Sequence, residues 1–176
     1  MCLDMMFTNQ ECRFIRSHWC LLIFCHLGGS INSETKAPCM LLLDSLHAMG
    51  PLRLEPLIRR FVSDIYDTED RVEDKYLIQE IPLLVPKVPQ QRNGHECGVF
   101  VLYYANLFLE SAPENFSVTK AEGFPYFMNE DWFTEEELEE FYEKLESIGT
   151  ESSDSEESVS SECSSNSDDI CRIIRI

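Results

Sequence analysis

The sequence predicts an α+β domain over residues 1–146, followed by a disordered acidic tail over residues 147–176. Two short and almost wholly apolar runs, at residues 19–25 and 39–43, are typical of strands buried on both faces. Residues 51–66 instead carry apolar side chains at three- and four-residue steps, which indicates an amphipathic helix. Because strands and helices alternate without the regular repeat of βαβ units, the class is α+β.

The other elements are predicted from local patterns. Residues 12–16 show a weak strand pattern, and residues 76–86 predict a third strand whose prolines suit a sheet edge or a strand end. Two more helices are predicted, over about residues 97–109 and over residues 134–145, the latter with Thr134 as N-cap and an acidic first turn. The apolar stripe of the first helix consists of Leu54, Leu57, Ile58, Phe61, Val62 and Ile65.

Composition limits the classes of partner and the compartment. A chain of 176 residues has room for one ordinary domain, and its net charge of −18 argues against nucleic acid or an anionic membrane as partner. No run approaches the roughly 18 apolar residues of a membrane-spanning helix. Of the eight cysteines, Cys20, Cys25 and Cys39 lie in or beside apolar strand-like runs, where cysteine behaves as a small hydrophobe. Free thiols in a reducing, intracellular compartment are therefore expected.

One stretch, residues 88–102, has the pattern of a reactive cysteine. Pro89 ends the preceding element, Asn93-Gly94 predicts a turn, and an apolar run typical of a buried helix begins at Cys97. A cysteine in the first turn of a helix is stabilised as the thiolate by the helix dipole and by the free N–H groups. Taken alone, Cys97 is better explained as a packed, inert thiol than as a nucleophile.

A nucleophilic cysteine needs a base and a group that orients the base. His18 immediately precedes the first apolar strand and Asp44 follows the second, so the two side chains meet if these strands are neighbours. Gln91 then provides an amide donor for an oxyanion. A rim position for His18 and a turn position for Asp44 are the simpler alternatives, and the rival bases are His26, His47 and His95. A zinc site built from Cys20, Cys25, His26 and Cys39 is disfavoured, because Cys20 and Cys25 point to opposite faces of one strand.

Three blocks of residues carry a family resemblance. They are His18-Trp19, then Leu43-Asp44-Ser45-Leu46, then residues 88–100, which read Val-Pro-Gln-Gln-Arg-Asn-Gly-His-Glu-Cys-Gly-Val-Phe. In type, spacing and order these blocks resemble those of the SUMO-specific cysteine proteases (the Ulp/SENP, or sentrin-specific, family). Residues 107–116 and Trp132-Phe133 are closer to the Ulp2-like branch.

The resemblance implies a papain-like fold and an isopeptidase or peptidase that acts after the Gly-Gly end of SUMO. It implies that Cys97 is the nucleophile, His18 the base, Asp44 the residue that orients His18, and Gln91 the oxyanion donor. Trp19 matches the tryptophan that roofs the narrow channel for the diglycine, although it also suits a core position. The implied partners are SUMO and SUMO-conjugated proteins, with no cofactor or metal. The implied state is a monomer in the nucleus, with the cytoplasm as a second location.

One departure from the family pattern qualifies these expectations. The family's substantial N-terminal part, which carries much of the SUMO-docking surface, has no counterpart before His18, so a partial fold and weak or absent activity are expected. A catalytically impaired SUMO-binding protein, and a protease for another ubiquitin-like modifier, are the alternative functions. In the tail, residues 173–176 resemble a SUMO-interacting motif, although an unstructured solubilising tail or a mispredicted exon is the favoured explanation.

Overall fold

The computed structural model describes residues 3–10, 18–27, 29–30, 33, 36–46, 50–68, 75–111, 128–151 and 172–175. The strands are β1 (Leu3–Gln10), β2 (His18–Cys25), β3 (Cys39–Leu43), β4 (Leu83–Leu84) and β5 (Arg172–Arg175), and they form one sheet in the order β4-β3-β2-β1-β5. The α-helices are α1 (Glu55–Thr68), α2 (Lys75–Gln79), α3 (Cys97–Ser111) and α4 (Glu135–Glu151). The predicted α+β class is confirmed.

The core is organised around β2 and β3, which are antiparallel neighbours with Leu21 opposite Leu43 and Cys25 opposite Cys39. Every residue of β3 is buried, as are all residues of β2 except the half-buried Trp19. Successive side chains point to opposite faces of a strand, and both faces are covered. The α3-side core comprises Leu21, Ile23, Leu41 and Leu43 with Phe100, Tyr104 and Phe108; the α1-side core comprises Leu22, Phe24, Met40 and Leu42 with Ile58, Val62 and Tyr66. The prediction of doubly buried strands is confirmed.

The first predicted helix is correct in type but not in every buried position. A 3₁₀ turn over Pro51–Leu54 precedes α1. The side chains of Leu54, Ile58 and Val62 are buried as predicted, whereas Leu57 is 61% exposed and Tyr66 is buried in its place. The Tyr66 hydroxyl donates to the carbonyl of Leu27 at 3.0 Å, so a polar side chain completes the buried stripe.

The predicted third strand is present at an edge of the sheet, but it occupies only a small part of residues 76–86. Only Leu83–Leu84 forms a strand, parallel to β3, while Lys75–Gln79 forms the short helix α2. Arg59 of α1 explains this difference, because its guanidinium donates to the carbonyls of Gln79 and Ile81 at 2.7 and 3.1 Å. Carbonyls at a helix C-terminus lack partners within the helix, and a side chain from another element supplies one here.

The two ends of the chain differ from expectation. An unpredicted strand, Leu3–Gln10, pairs along the whole of β2, whereas the predicted strand at residues 12–16 lies outside the described residues. Helix α4 continues to Glu151, past the predicted tail boundary at residue 147. Within that predicted tail, Arg172–Arg175 pairs antiparallel with β1, and residues 152–171 lie outside the described part of the chain. In the described residues, no helix has both the length and the apolar character to cross a bilayer.

Candidate active site

His18 and Asp44 meet at one end of the two central strands. His18 is the first residue of β2 and Asp44 directly follows β3. Because the two strands are antiparallel, both residues lie at the same end of the strand pair. The Nε2 atom of His18 lies 2.6 Å from Oδ1 of Asp44, and both side chains are buried. The backbone N–H of Leu46 donates to the same carboxylate oxygen at 2.8 Å. The carboxylate therefore holds the imidazole in one orientation, as the sequence predicted.

Cys97 is the first residue of α3, which packs across β2. The polar segment before the helix is fixed by Asn93, whose Oδ1 accepts from the backbone N–H groups of His95 and Glu96, both at 3.1 Å. The backbone N–H groups of Trp19 and Gly98 interact with the Cys97 sulfur. The predicted position of the cysteine at a helix N-terminus is confirmed, and β2 adds a donor that the sequence pattern did not reveal.

The environment of Cys97 favours its thiolate form. Burial alone would raise the pKa of this thiol, but its interactions with the His18 side chain and with the N–H groups of Trp19 and Gly98 outweigh burial and lower the pKa. A lowered pKa increases the fraction of the sulfur that is nucleophilic near neutral pH.

The environment of His18 favours the imidazolium. Burial would lower the pKa of this imidazole, but its hydrogen bond to the Asp44 carboxylate, the contact with Cys97 and the charges of both raise the pKa from 6.5 to about 9. Opposite shifts in a thiol and an imidazole that face each other are those of a thiolate–imidazolium pair.

The second ring nitrogen of His18 faces the reacting side of the site. Nδ1 is buried and, among the described residues, has no partner within hydrogen-bond geometry. Because Asp44 occupies Nε2, Nδ1 is the atom left to interact with the Cys97 thiol. Catalytic contacts are often long in an unliganded enzyme and tighten when substrate binds. The interaction between His18 and Cys97 that shifts both pKa values is therefore assigned to Nδ1, an arrangement that suits proton transfer between the two groups.

Gln91 is buried beside the end of β3 and is held at both ends of its amide. Its Oε1 accepts from the Ser45 hydroxyl at 2.5 Å and its Nε2 donates to the carbonyl of Asn93 at 2.6 Å. The backbone N–H of Gln91 also donates to the carbonyl of Ser45 at 3.0 Å. An amide nitrogen has two N–H groups, so one remains for a ligand.

Other contacts of the segment before Cys97 were missed by sequence reasoning. Gln90 donates through Nε2 to the backbone carbonyls of Asp44 and Val88, at 3.0 and 2.9 Å. The Tyr104 hydroxyl donates to the carbonyl of Pro89 at 2.5 Å. The only sequence signal for these roles is that Gln90 and Ser45 adjoin the predicted site residues. Together the contacts fasten the segment to the end of β3 and to α3.

Trp19 is half-buried and packs against the α3-side core. Its predicted core position is therefore confirmed in part, because its indole packs against the buried cluster formed by side chains of β2 and α3. The roofing of a substrate channel by Trp19 stays a prediction.

The rival assignments are not supported by the described residues. His95 is exposed in the loop before α3, His26 lies beyond the opposite end of β2 from His18, and His47 is outside the described residues. Cys25 and Cys39 face the α3-side core whereas Cys20 faces the α1-side core, and none of these three thiols is in a disulfide. Within the described ranges, no group of three or more His, Cys, Asp or Glu side chains is arranged to hold a metal ion.

A groove of about 670 Å³ lies beside the site, between the segment before Cys97, the start of α3 and α4. Val99, Phe100 and Leu138 contribute apolar side chains to its lining, and Glu96 and Glu139 contribute carboxylates. The side chains of His18, Asp44 and Cys97 do not line this groove. The groove therefore lies next to the candidate reacting atoms and does not contain them.

The sequence was also compared with known proteins. A family model described as the Ulp1 protease family, C-terminal catalytic domain, matches residues 13–146. The probable ubiquitin-like-specific protease 2B of Arabidopsis thaliana is 30% identical over an alignment of 128 residues that covers 66% of this chain and 13% of that protein. The probable ubiquitin-like-specific protease 2A of the same plant is 28% identical over an alignment of 140 residues that covers 76% of this chain and 18% of that protein.

An animal relative and a solved structure are similar too. Sentrin-specific protease 6 of Mus musculus is 31% identical over 83 residues, 47% of this chain and 7% of that protein. The chain thus corresponds to a small part of each of these relatives. A crystal structure of a de-sumoylating protease shares 24% identity with a TM-score of 0.45, covering 80% of this chain and 50% of that one. Since the family model matches most of the sequence, this chain belongs to the Ulp1 protease family and carries its C-terminal catalytic domain.

Proposed function

We propose that this chain is a cysteine protease that cleaves after the C-terminal Gly-Gly of SUMO, releasing SUMO from conjugated lysines or from precursors in the nucleus. The observation that carries the proposal is the arrangement of Cys97, His18 and Asp44. A cysteine whose pKa is lowered faces a buried imidazole whose pKa is raised to about 9, and a carboxylate at 2.6 Å orients that imidazole. This is the constellation that thiol-dependent acyl transfer requires.

The first half of the reaction forms a thioester. The Cys97 thiolate adds to the scissile carbonyl carbon, and the carbonyl oxygen takes the negative charge. The backbone N–H of Cys97 and the remaining N–H of Gln91 are the proposed donors to that oxyanion. When the C–N bond breaks, the His18 imidazolium donates its Nδ1 proton to the leaving lysine amine, and the acyl group stays on the sulfur.

The second half returns the enzyme to its starting state. Neutral His18 accepts a proton from water through Nδ1, and the hydroxide formed attacks the thioester carbonyl. The Cys97 thiolate leaves, and the modifier is released with a free carboxylate. Asp44 keeps Nε2 engaged in both halves, so the same face of the ring serves as acid and then as base.

The proposed substrate class rests on residue chemistry and on the names of the relatives. The relatives are called ubiquitin-like-specific and sentrin-specific proteases. A chain terminus of two glycines suits a site that lies between the start of β2 and the start of α3, where a side chain on the substrate would meet Trp19 or the helix. The net charge of −18 favours a partner with a basic surface.

The proposal is tested by covalent labelling. SUMO, ubiquitin and a further ubiquitin-like modifier, each ending in Gly-Gly with a thiol-reactive electrophile, are incubated with the 176-residue chain. Mass spectrometry then identifies the modified residue. We expect the SUMO probe to label Cys97, and we expect Cys97→Ala to abolish labelling because the attacking sulfur is lost.

Cys20→Ala is the matched control, since it removes a thiol that is buried in the α1-side core, away from Cys97, and should leave labelling intact. Labelling by another modifier in preference to SUMO would refute the assignment of SUMO as the substrate, but it would not refute the assignment of protease activity. Stable binding of SUMO to the folded chain, with no labelling by any probe, would refute the enzymatic proposal and favour a binding role.

A further inference from the structure

We propose that Ser45 is a positioning residue that presents the Gln91 amide to the oxyanion, an inference that rests on the proposed acyl transfer. Ser45 is 1% exposed, and it contacts Gln91 twice. Its hydroxyl donates to Oε1 of Gln91 at 2.5 Å, and its backbone carbonyl accepts from the N–H of Gln91 at 3.0 Å. The segment that carries Gln91 is thereby fastened to the end of β3 through both backbone and side chain.

The orientation of the amide follows from the chemistry of its partners. The carbonyl of Asn93 can only accept a hydrogen bond, so the amide atom facing it at 2.6 Å is the nitrogen. The oxygen then faces Ser45, whose hydroxyl can donate to it. With the amide held at both ends, its free N–H has one fixed direction. Preorganised donors stabilise a developing charge without reorganising during the reaction.

Ser45 also fixes Gln91 relative to the catalytic base. Asp44 orients His18 and the next residue, Ser45, orients Gln91, so consecutive residues at the end of β3 hold the proposed proton-transfer group and the proposed oxyanion donor. Both residues are buried, and β3 is buried along its whole length. A rigid strand end therefore sets the distance between two groups that act on the same carbonyl.

The test compares Ser45→Ala, Gln91→Ala and the double variant. We expect Ser45→Ala to lower kcat about tenfold, less than the roughly hundredfold or greater loss typical of deleting an oxyanion donor, because the donor remains but is no longer held. In the Gln91→Ala background, Ser45→Ala should have an effect of less than about twofold, since a residue that acts through Gln91 has nothing left to position. If the double variant instead loses kcat by the product of the two single-variant factors, the proposal is wrong.

Two further readouts separate positioning from a general structural role. Alkylation of Cys97 by iodoacetamide forms no oxyanion, so its rate and pH dependence should be unchanged in Ser45→Ala; a parallel fall in alkylation would overturn the proposal. The matched control is Ser63→Ala on α1, which also removes a hydroxyl bonded to a glutamine amide, that of Gln79 at 2.9 Å, but lies on the other side of the sheet. It should leave kcat unchanged.

A spectroscopic readout makes the inference independent of the modifier. The side-chain amide protons of Gln91, assigned by their loss in Gln91→Ala, should be ordered in the original chain and motionally averaged in Ser45→Ala. Unchanged signals would refute the positioning role. If no modifier is cleaved, the proposed function fails, while ordered signals that depend on Ser45 still establish that Ser45 positions the amide.

Discussion

Replacing Asp44 by Asn tests whether the carboxylate supports the thiolate–imidazolium pair. Asn has nearly the size of Asp and keeps an oxygen that can accept from the N–H of Leu46, so the strand end should keep its shape. What it loses is the negative charge 2.6 Å from Nε2 of His18. Because His18 and Asp44 are both buried, solvent does not replace that charge.

The size of the effect follows from the pKa of His18. Burial would lower this pKa, and Asp44 leads the groups that instead raise it to about 9, which corresponds to about 3 kcal/mol in favour of the imidazolium. Because the pKa of His18 is higher in the folded state than in the unfolded chain, protonation of His18 stabilises the fold. This contribution to the free energy of unfolding is complete below pH 6.5 and is lost as the pH rises through about 9. Cys97 supplies part of the rise. If Asp44 supplies half or more, Asp44→Asn lowers the equilibrium constant for the thiolate–imidazolium pair over the neutral thiol–imidazole pair about 10- to 100-fold.

The assay is the rate of Cys97 alkylation as a function of pH, with Cys97→Ala as the background for other thiols. In the original chain the ion pair exists above the lowered pKa of Cys97 and below about pH 9. In Asp44→Asn we expect slower alkylation at neutral pH and an imidazolium titration moved toward pH 6.5. Asp64→Asn, an exposed position on α1, is the matched control. A variant at Asp44 with the original rate and pH profile would refute the role of the carboxylate.

Three further predictions concern stability and the identity of the base. Thr134→Ala removes a capping box in which Thr134 and Glu137 exchange hydrogen bonds of 2.8 and 3.3 Å, and should lower the free energy of unfolding by about 1 kcal/mol in urea titrations; an unchanged midpoint would contradict it. Tyr66→Phe removes the hydroxyl that donates to the carbonyl of Leu27 and should lower the free energy of unfolding by about 1 kcal/mol in the same titrations. Equal stability of the variant would show that this hydrogen bond does not stabilise the fold. His95→Ala should keep the alkylation rate and pH profile of Cys97, because His95 is exposed; loss of the alkaline titration would make it the base.

Sequence reasoning succeeded where a local pattern determines the structure. The apolar runs that became β2 and β3 are short and flanked by polar residues, and such runs must be covered on both faces. The turn before Cys97 and the apolar run after it likewise predict a helix that begins at the cysteine. Once those strands are neighbours, His18 and Asp44 meet because each stands at a strand end. Periodicity and turn signals predict these elements, whereas the meeting of His18 and Asp44 depended on the two strands being neighbours and on the family resemblance.

Sequence reasoning failed where the structure is determined by contacts between segments that are far apart in the chain. Residues 75–79 contain strand-forming side chains, yet they form a helix because Arg59 satisfies the carbonyls that follow. The strand Leu3–Gln10 includes Asp4 and Asn9, which are poor strand formers, and it is supported by pairing along β2. The bond from Ser45 to Gln91 joins residues 46 positions apart, and no local pattern predicts it.

The way each proposed catalytic group is attached explains why these distant contacts matter most at Gln91. His18 begins β2, Asp44 adjoins β3 and Cys97 begins α3, so the sheet and its packing against α3 fix the triad. Gln91 lies in an irregular segment, where a side chain with three rotatable bonds would otherwise sample many positions. Its hydrogen bonds to Ser45 and Asn93 provide the restraint that a strand or helix would give. Activity should therefore tolerate changes in the distant α1-side core better than the loss of a single hydroxyl at the end of β3.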